Sequence, residues 1–244
     1  MSDSSISSST PTTALSALYS VAPALERYTQ DAIINGIWMR PDLSARDRSI
    51  VTIAALVARK QTHAMHHYFT KALDHDVKPA EISEIITHMA FYAGWPNAFA
   101  AIPVLHTIFE ERGIGLDQLP ESLPELLPLD LLAEQQRADY AQENLGAVSQ
   151  IFLDQTTELM FKDLWLRPAL SMRDRLIVVI SSLIASGRGV QFLPFYLTKA
   201  MSQGLTKIQV SEMLAHLAFY VGWPTVFSAS FIVKEFYDTQ GAEK

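Results

Sequence analysis

The sequence predicts an all-α protein built as a tandem duplication of one helical domain, and three observations carry that prediction. First, the chain repeats itself. WMRPDLSARDRSIVTIAALV at Trp38–Val57 matches Trp165–Ile184 at 12 of 20 positions, and HMAFYAGWP at His88–Pro96 matches His216–Pro224 at 7 of 9. The offset is 127 in the first block and 128 in the second, so one residue is inserted near Ser186–Gly189. A period this long marks a duplicated domain, not a solenoid. Second, the apolar residues recur at helical spacing, and nowhere is there hairpin turn chemistry. Third, helix start and stop signals fall at equivalent places in both copies.

The duplication places repeat one at 16–113 and repeat two at 140–241, joined by a Pro/Leu-rich linker at 114–139. Residues 1–15 read as a disordered leader, because MSDSSISSSTPTTA is Ser/Thr-rich and lacks the basic start and apolar core of a signal peptide. Ser44 with Asp47, and Ser171 with Asp174, read as N-cap boxes opening a helix in each copy. The runs behind them, Ile50–Ala58 and Leu176–Ala185, are long enough for buried helices, although their β-branched residues leave some strand ambiguity. In Lys78–Pro79–Glu81 the proline suits a first helical position, and Thr206 with Gln209 makes a capping box at the same point of repeat two. Each of these helices runs through HxAFYxG and stops at Gly94 or Gly222, where glycine tolerates a left-handed turn. Pro96 or Pro224 then opens a helix ending near Gly113 or Gly241. In the linker, Pro120, Pro124 and Pro128 deny a continuous helix, and the interleaved leucines predict packing against the protein surface.

Composition excludes several classes of function. Acidic residues outnumber basic ones, 26 to 19, and no basic stripe suits a nucleic acid. Neither apolar run approaches the roughly 20 residues of a membrane-spanning helix, so no membrane partner is expected. The cysteine count is zero, which removes disulfides, thiolate metal sites and thiol nucleophiles. A cytoplasmic location is expected on these grounds.

Several side chains could carry chemistry. Glu84 with His88, and Glu212 with His216, stand at i, i+4 on one helical face, where a carboxylate can orient an imidazole for proton transfer. The same pairs could equally lock helices together. The arginines of Arg46–Asp47–Arg48 and Arg173–Asp174–Arg175 could grip a substrate carboxylate, or pair with Glu84 and Glu212 across a helix interface. His63, His66 and His67 occur in repeat one alone and could serve proton transfer, hold a metal, or form a solvated face. His75 and His106 have no partner by spacing and read as surface residues. Tyr68 and Tyr196 are equivalent, each either a hydrogen-bond donor to a substrate oxyanion or a core aromatic. Trp95, in the aromatic corner after Gly94, reads as core or as pocket wall. No glycine-rich phosphate loop, nucleophile elbow or nucleotide signature is present.

The motifs RPxLSxRDRxIVxIxxLxA and EIxEIxxHxAFYxGWP resemble the carboxymuconolactone decarboxylase family of the alkylhydroperoxidase D-like superfamily, over most of both repeats. The resemblance implies an alkylhydroperoxidase D-like helical domain that assembles into rings, here a homotrimer of two-repeat chains, with sites between helices near subunit contacts. Peroxide-reducing members use Cys-x-x-Cys and a histidine; those positions fall on Gln61, Ala64 and Tyr68, so thiol peroxidase chemistry is unavailable. Decarboxylase-type members usually place glutamate at the Ala64 position and histidine at Tyr68, and neither repeat has them. The expectation is a cofactor-independent, metal-free enzyme acting by proton transfer or decarboxylation on a small carbonyl or lactone compound. In it His63, His67, Tyr68, Glu84 and His88 are the catalytic group, and Arg46, Arg48, Trp95, Tyr196 and His216 contact the substrate. Repeat two chiefly supplies packing. The alternative is a non-catalytic binding or structural member of the family.

Overall fold

The computed structural model describes residues 17–242, so the leader expected at 1–15 lies outside the described residues. Among the described residues there is no β-strand. Helix α1 (Pro23–Tyr28) continues into a π-helical turn, Thr29–Ile34, and a 3-10 turn, Ile37–Met39. Then come α2 (Ala45–Ala58), α3 (Thr62–Asp74), α4 (Pro79–Ala93) and α5 (Trp95–Arg112). Beyond the linker, α6 (Leu131–Leu145) precedes a second set in the same order. These are α7 (Gln150–Gln155) with its π turn Thr156–Phe161 and 3-10 turn Leu164–Leu166, α8 (Met172–Ser186), α9 (Leu193–Ser202), α10 (Lys207–Val221) and α11 (Trp223–Ala242).

The two modules share one core. Helices α2 and α8 lie against each other at its centre, and α4 of repeat one packs on α8 while α10 of repeat two packs on α2. Every residue of Asp47–Ala58 and Asp174–Ala185 is buried in a helix, which removes the strand ambiguity: the apolar runs are continuous because other helices surround them. The fold therefore has a seam, and side chains of one repeat meet those of the other along it.

The end signals work as their chemistry dictates. Ser44 accepts from the Asp47 amide and Ser171 from that of Asp174, at 3.0 and 3.1 Å. Thr206 and Gln209 satisfy each other's backbone donors, and Pro79 opens α4 with Glu81 accepting from the Lys78 amide. Gly94 (φ +92°, ψ +147°) has the positive φ that needs glycine, but in an extended rather than helical left-handed form. It caps α4 and α5 at once, so the chain turns the corner in one residue. The insertion after α8 becomes a 3-10 turn, Val190–Phe192, and shortens α9 to 10 residues against 13 in α3. In two places the elements run past their expected ends. Helix α11 passes through Gly241, and α6 crosses the 139/140 boundary because Asp130, just past the last linker proline, caps it by accepting from the Ala133 amide. The linker is tied to the protein by its backbone, the Leu127 amide bonding to the Leu166 carbonyl at 2.7 Å, but most of the leucines expected to pack do not: Leu116, Leu123, Leu126 and Leu127 are exposed.

Candidate functional site

The duplication produces two related clusters at the seam, each drawing side chains from both repeats. In the first, the 3-10 turn presents Trp38, α3 presents Tyr68, and α10 presents His216 and Tyr220 at i, i+4. Trp38 lies parallel to Tyr68 with centroids 6.2 Å apart, and edge-on to His216 at 5.0 Å. The Trp38 indole donates to the Tyr220 hydroxyl at 2.8 Å, which donates to the Tyr68 hydroxyl at 3.2 Å. With the indole donating to Tyr220 and Tyr220 donating to Tyr68, the chain runs one way, and the Tyr68 proton is left to point onward. Burial, then the neighbouring Tyr68, raises the Tyr220 pKa far above that of a free phenol; burial also raises Tyr68.

His216 sits beneath this chain. Its Nε2 is 2.7 Å from the Thr52 hydroxyl, whose own proton goes to the Arg48 carbonyl at 2.7 Å. Thr52 must therefore accept from His216, which fixes the Nε2–H tautomer. Nδ1 has no hydrogen-bond partner among the described residues. Burial, with Arg48 and Lys71 adding repulsion, pushes the imidazole down to about 3, so it is neutral at physiological pH. Below it Glu212 accepts from Arg40 at 2.6–2.9 Å and from the wholly buried Arg48 at 2.7 Å. These bonds, Arg40 first, hold its carboxyl below the usual range.

The second cluster repeats the plan with Trp165, Tyr196, His88 and Tyr92. Trp165 donates to Tyr92 at 3.1 Å, the Tyr92 and Tyr196 hydroxyls are 2.9 Å apart, and His88 stacks on Tyr92. Glu84 accepts from Arg167 at 2.9 and 3.0 Å and pairs with Arg175 at 3.6 Å. Arg175 donates to His88 Nδ1 at 3.3 Å, and His88 Nε2 is left without a partner because Val179 stands where Thr52 does in the first cluster.

The two clusters differ in access and polarity. His67, edge-on to Tyr68 at 4.8 Å, is matched by Phe195; Ser49 and His75, hydrogen-bonded at 2.9 Å, are matched by Leu176 and Gln203. Tyr68 is half-buried, whereas Tyr196 is buried. The Arg40 side chain is 52% exposed and that of Arg167 only 11%, because Arg167 also donates to the Ser122 and Glu121 carbonyls of the linker at 3.0 and 2.9 Å. The linker closes the second cluster and leaves the first open.

Several expectations are corrected. Tyr68 does not meet Glu84 and His88; its partners are His216 and Tyr220, and Glu84–His88 belong with Tyr196, because each α4-type helix packs on the central helix of the other repeat. Repeat two thus contributes glutamate, histidine and tyrosine to the cluster beside His67, rather than packing alone. Glu84 is turned to its arginines and makes no hydrogen bond to His88. Arg48 is sealed beneath Glu212, and Arg46 is taken by Glu81 and Asp174 at 2.6 and 3.0 Å, so neither guanidinium is free for a ligand; the pairing weighed against substrate binding is found for Arg48, whereas Arg46 meets other acids than Glu84 and Glu212. Trp95 is 48% exposed with its ring against Phe91, and the tryptophan of the cluster is Trp38. His63 is exposed without a hydrogen bond among the described residues, and His66 turns to Glu111 at 3.2 Å. No group of three His, Cys, Asp or Glu among the described residues is placed to hold a metal. His75 is half-buried against Trp38 and Ser49, not a surface residue. Trp38, Arg40, Thr52, Lys71 and Tyr220 enter the site unannounced; the repeat itself was the available signal, since Tyr220 stands at i+4 from His216 in HLAFYVGWP.

These buried neutral imidazoles carry a stability consequence. His216 and His88 both have pKa values below the ordinary 6.5, chiefly through burial, so the unfolded chain binds more protons below that pH. Stability is expected to be full above about pH 6.5 and to fall by about 1 kcal/mol per histidine on going to about pH 5.5. Urea midpoints against pH check this, and His216→Gln should halve the slope.

A duplicated helical module with histidine and tyrosine clusters along its internal seam defines the class of protein. The sequence profile of the carboxymuconolactone decarboxylase family matches residues 23–107 and 151–235, and the chain belongs to that family. It is 31% identical over 83 residues to the 4-carboxymuconolactone decarboxylase of Acinetobacter baylyi, a stretch covering 34% of this chain and 62% of that protein. It is 29% identical over 68 residues to the nitrosuccinic acid decarboxylase of Metarhizium robertsii, covering 28% of this chain and 48% of that one. The matched stretches thus span less than two thirds of these relatives. A crystal structure assigned as a gamma-carboxymuconolactone decarboxylase subunit of Burkholderia xenovorans superposes with TM-score 0.55 at 16% identity, covering 92% of this chain and 90% of that one, and shows the shared fold. Among the described residues no helix is long and apolar enough to cross a membrane.

Proposed function

We propose that the protein is a cofactor-independent lyase or isomerase of decarboxylase type, working on a small carbonyl or lactone compound at the Tyr68 cluster. One observation carries this reading: the one-way donor chain from Trp38 through Tyr220 to Tyr68, ending in a half-buried phenol whose proton no described residue accepts. Successive donors polarise one another, and a preorganised O–H aimed at developing negative charge is the means by which an enolate is stabilised. In decarboxylation the C–C bond to the carboxylate breaks, its electron pair moves onto the conjugated carbonyl, CO2 departs, and Tyr68 donates to the enolate oxygen. His67 takes a proton from solvent and delivers it to the carbon, or in an isomerisation removes a proton beside the carbonyl and returns it elsewhere. Burial, then Lys71 and His66, lower its pKa, which suits the base. Thr52 and His216 hold Tyr220 in place from below. His63 is left in solvent and takes no part in this scheme.

The exposed apolar residues of α5 (Trp95, Phe99, Ile102) and α11 (Trp223, Phe227, Phe231) support assembly with further copies, for which the trimer is our proposal. A cytoplasmic location remains part of the same reading.

The binding alternative draws on a specific observation: both glutamates of the Glu–His pairs are spent on arginines, leaving no free carboxylate base. The names of the two relatives supply the test. The purified chain is to be offered 4-carboxymuconolactone and nitrosuccinate, with CO2 release followed by mass spectrometry. Release that falls about 10²-fold in His67→Gln is the expected result. Saturable binding of both acids without CO2 would favour the binding protein.

A further inference from the structure

Lys71 is not used by the chemistry above, yet its setting is unlike that of the guanidiniums around the two clusters. Arg40, Arg46, Arg48, Arg167, Arg173 and Arg175 each meet a carboxylate within 4.0 Å. Lys71 meets none among the described residues. It is half-buried, and its ammonium lies 4.0 Å above the Trp38 ring, the same ring that stacks on Tyr68. Asp74, the nearest acid along α3, is held by Arg112 at 2.8 Å. Lys71 stands at i+3 from Tyr68 and i+4 from His67, so ammonium, phenol and imidazole share one face of α3.

An ammonium held over an indole, partly desolvated and without a counter-ion, lacks the compensation that buried charge ordinarily has. A carboxylate seated beside it would supply the missing partner and leave the outward Tyr68 proton for the carbonyl oxygen of the same acid. The equivalent lysine offers no such place. Lys199 is exposed, lies 5.1 Å over Phe195, and has a buried tyrosine, Tyr196, at the Tyr68 position.

We infer that Lys71 is the anchor for the carboxylate of a small organic acid, and that each chain takes one such anion, at the Tyr68 cluster, although the architecture is duplicated. This rests on the reading of that cluster as the ligand site, and it narrows the ligand from carbonyl compounds in general to their anionic acids.

Calorimetric titration with benzoate and succinate, and with benzamide and succinamide as neutral isosteres, tests it without any turnover. Expected are one site per chain for an acid, binding of the matching amide at least tenfold weaker, at least tenfold loss in Lys71→Met, and unchanged binding in Lys199→Met. Thermal melts confirm that both variants fold. Failure of both acids to bind, equal binding of acid and amide, two equal sites per chain, or full affinity in Lys71→Met would each overturn the inference. Binding that depends on Lys71 in a protein that neither releases CO2 from a bound acid nor isomerises it would retire the catalytic reading and leave the anchor in place.

Discussion

Replacing Tyr68 by phenylalanine is expected to lower kcat by about 10²–10³-fold, the loss seen when one donor is removed from an oxyanion site. The substitution keeps the ring that lies parallel to Trp38 at 6.2 Å, so the walls of the cluster survive. What disappears is the terminal O–H, together with the acceptor for the Tyr220 proton at 3.2 Å. Because the enolate charge exists only along the reaction, kcat should fall while KM changes little. Lys71→Met should do the reverse, raising KM through a contact made by substrate and transition state alike. Tyr196→Phe is the internal control. It deletes the same atom from the closed cluster, where Tyr196 is 9% exposed, and kcat should stay within about threefold. Steady-state kinetics on the acid that yields CO2 decide the matter, and equal losses from the two tyrosines would refute a single working cluster.

Removing Glu84 is expected to be the most damaging change to stability. Glu84→Ala leaves Arg175, 1% exposed, with no carboxylate, and strips Arg167 of its hydrogen bonds to the carboxylate. Breaking a buried pair from one side typically costs about 3–5 kcal/mol. Replacing both charges at once, as Glu84→Leu with Arg175→Met, should recover part of that loss, because the fully buried guanidinium is gone while Arg167 keeps its bonds to the Glu121 and Ser122 carbonyls. Urea unfolding followed by circular dichroism measures both. A double variant as unstable as the sum of its single losses would show that the pair does more than neutralise itself.

The parts of this protein legible in its sequence are those with local causes. Ser44, Ser171, Thr206 and Pro79 open helices because a cap needs only residues within one turn, and Gly94 and Gly222 end them because positive φ is a single-residue requirement. The long offset between two near-identical blocks announced the duplication, and the lack of cysteine excluded sulfur chemistry without reference to shape. The interface role of Arg48 was also within reach, since a guanidinium in an apolar helix must find an acid.

Which copy of a motif serves which cluster is a different kind of fact. Identical repeats specify identical helices, and either arrangement, each module closed on itself or interlocked with the other, satisfies the same periodicity. Packing α2 against α8 settles it: the two most completely buried helices lie against each other, and α4 and α10 then cover the partner module's central helix. Tyr68 consequently faces His216 and Tyr220 at a separation of 152 residues from the latter, while the chain neighbours Glu84 and His88 look elsewhere. Local chemistry sets the elements; burial of the long-range seam selects the partners, because it is the whole apolar surface, not any one motif, that must leave water.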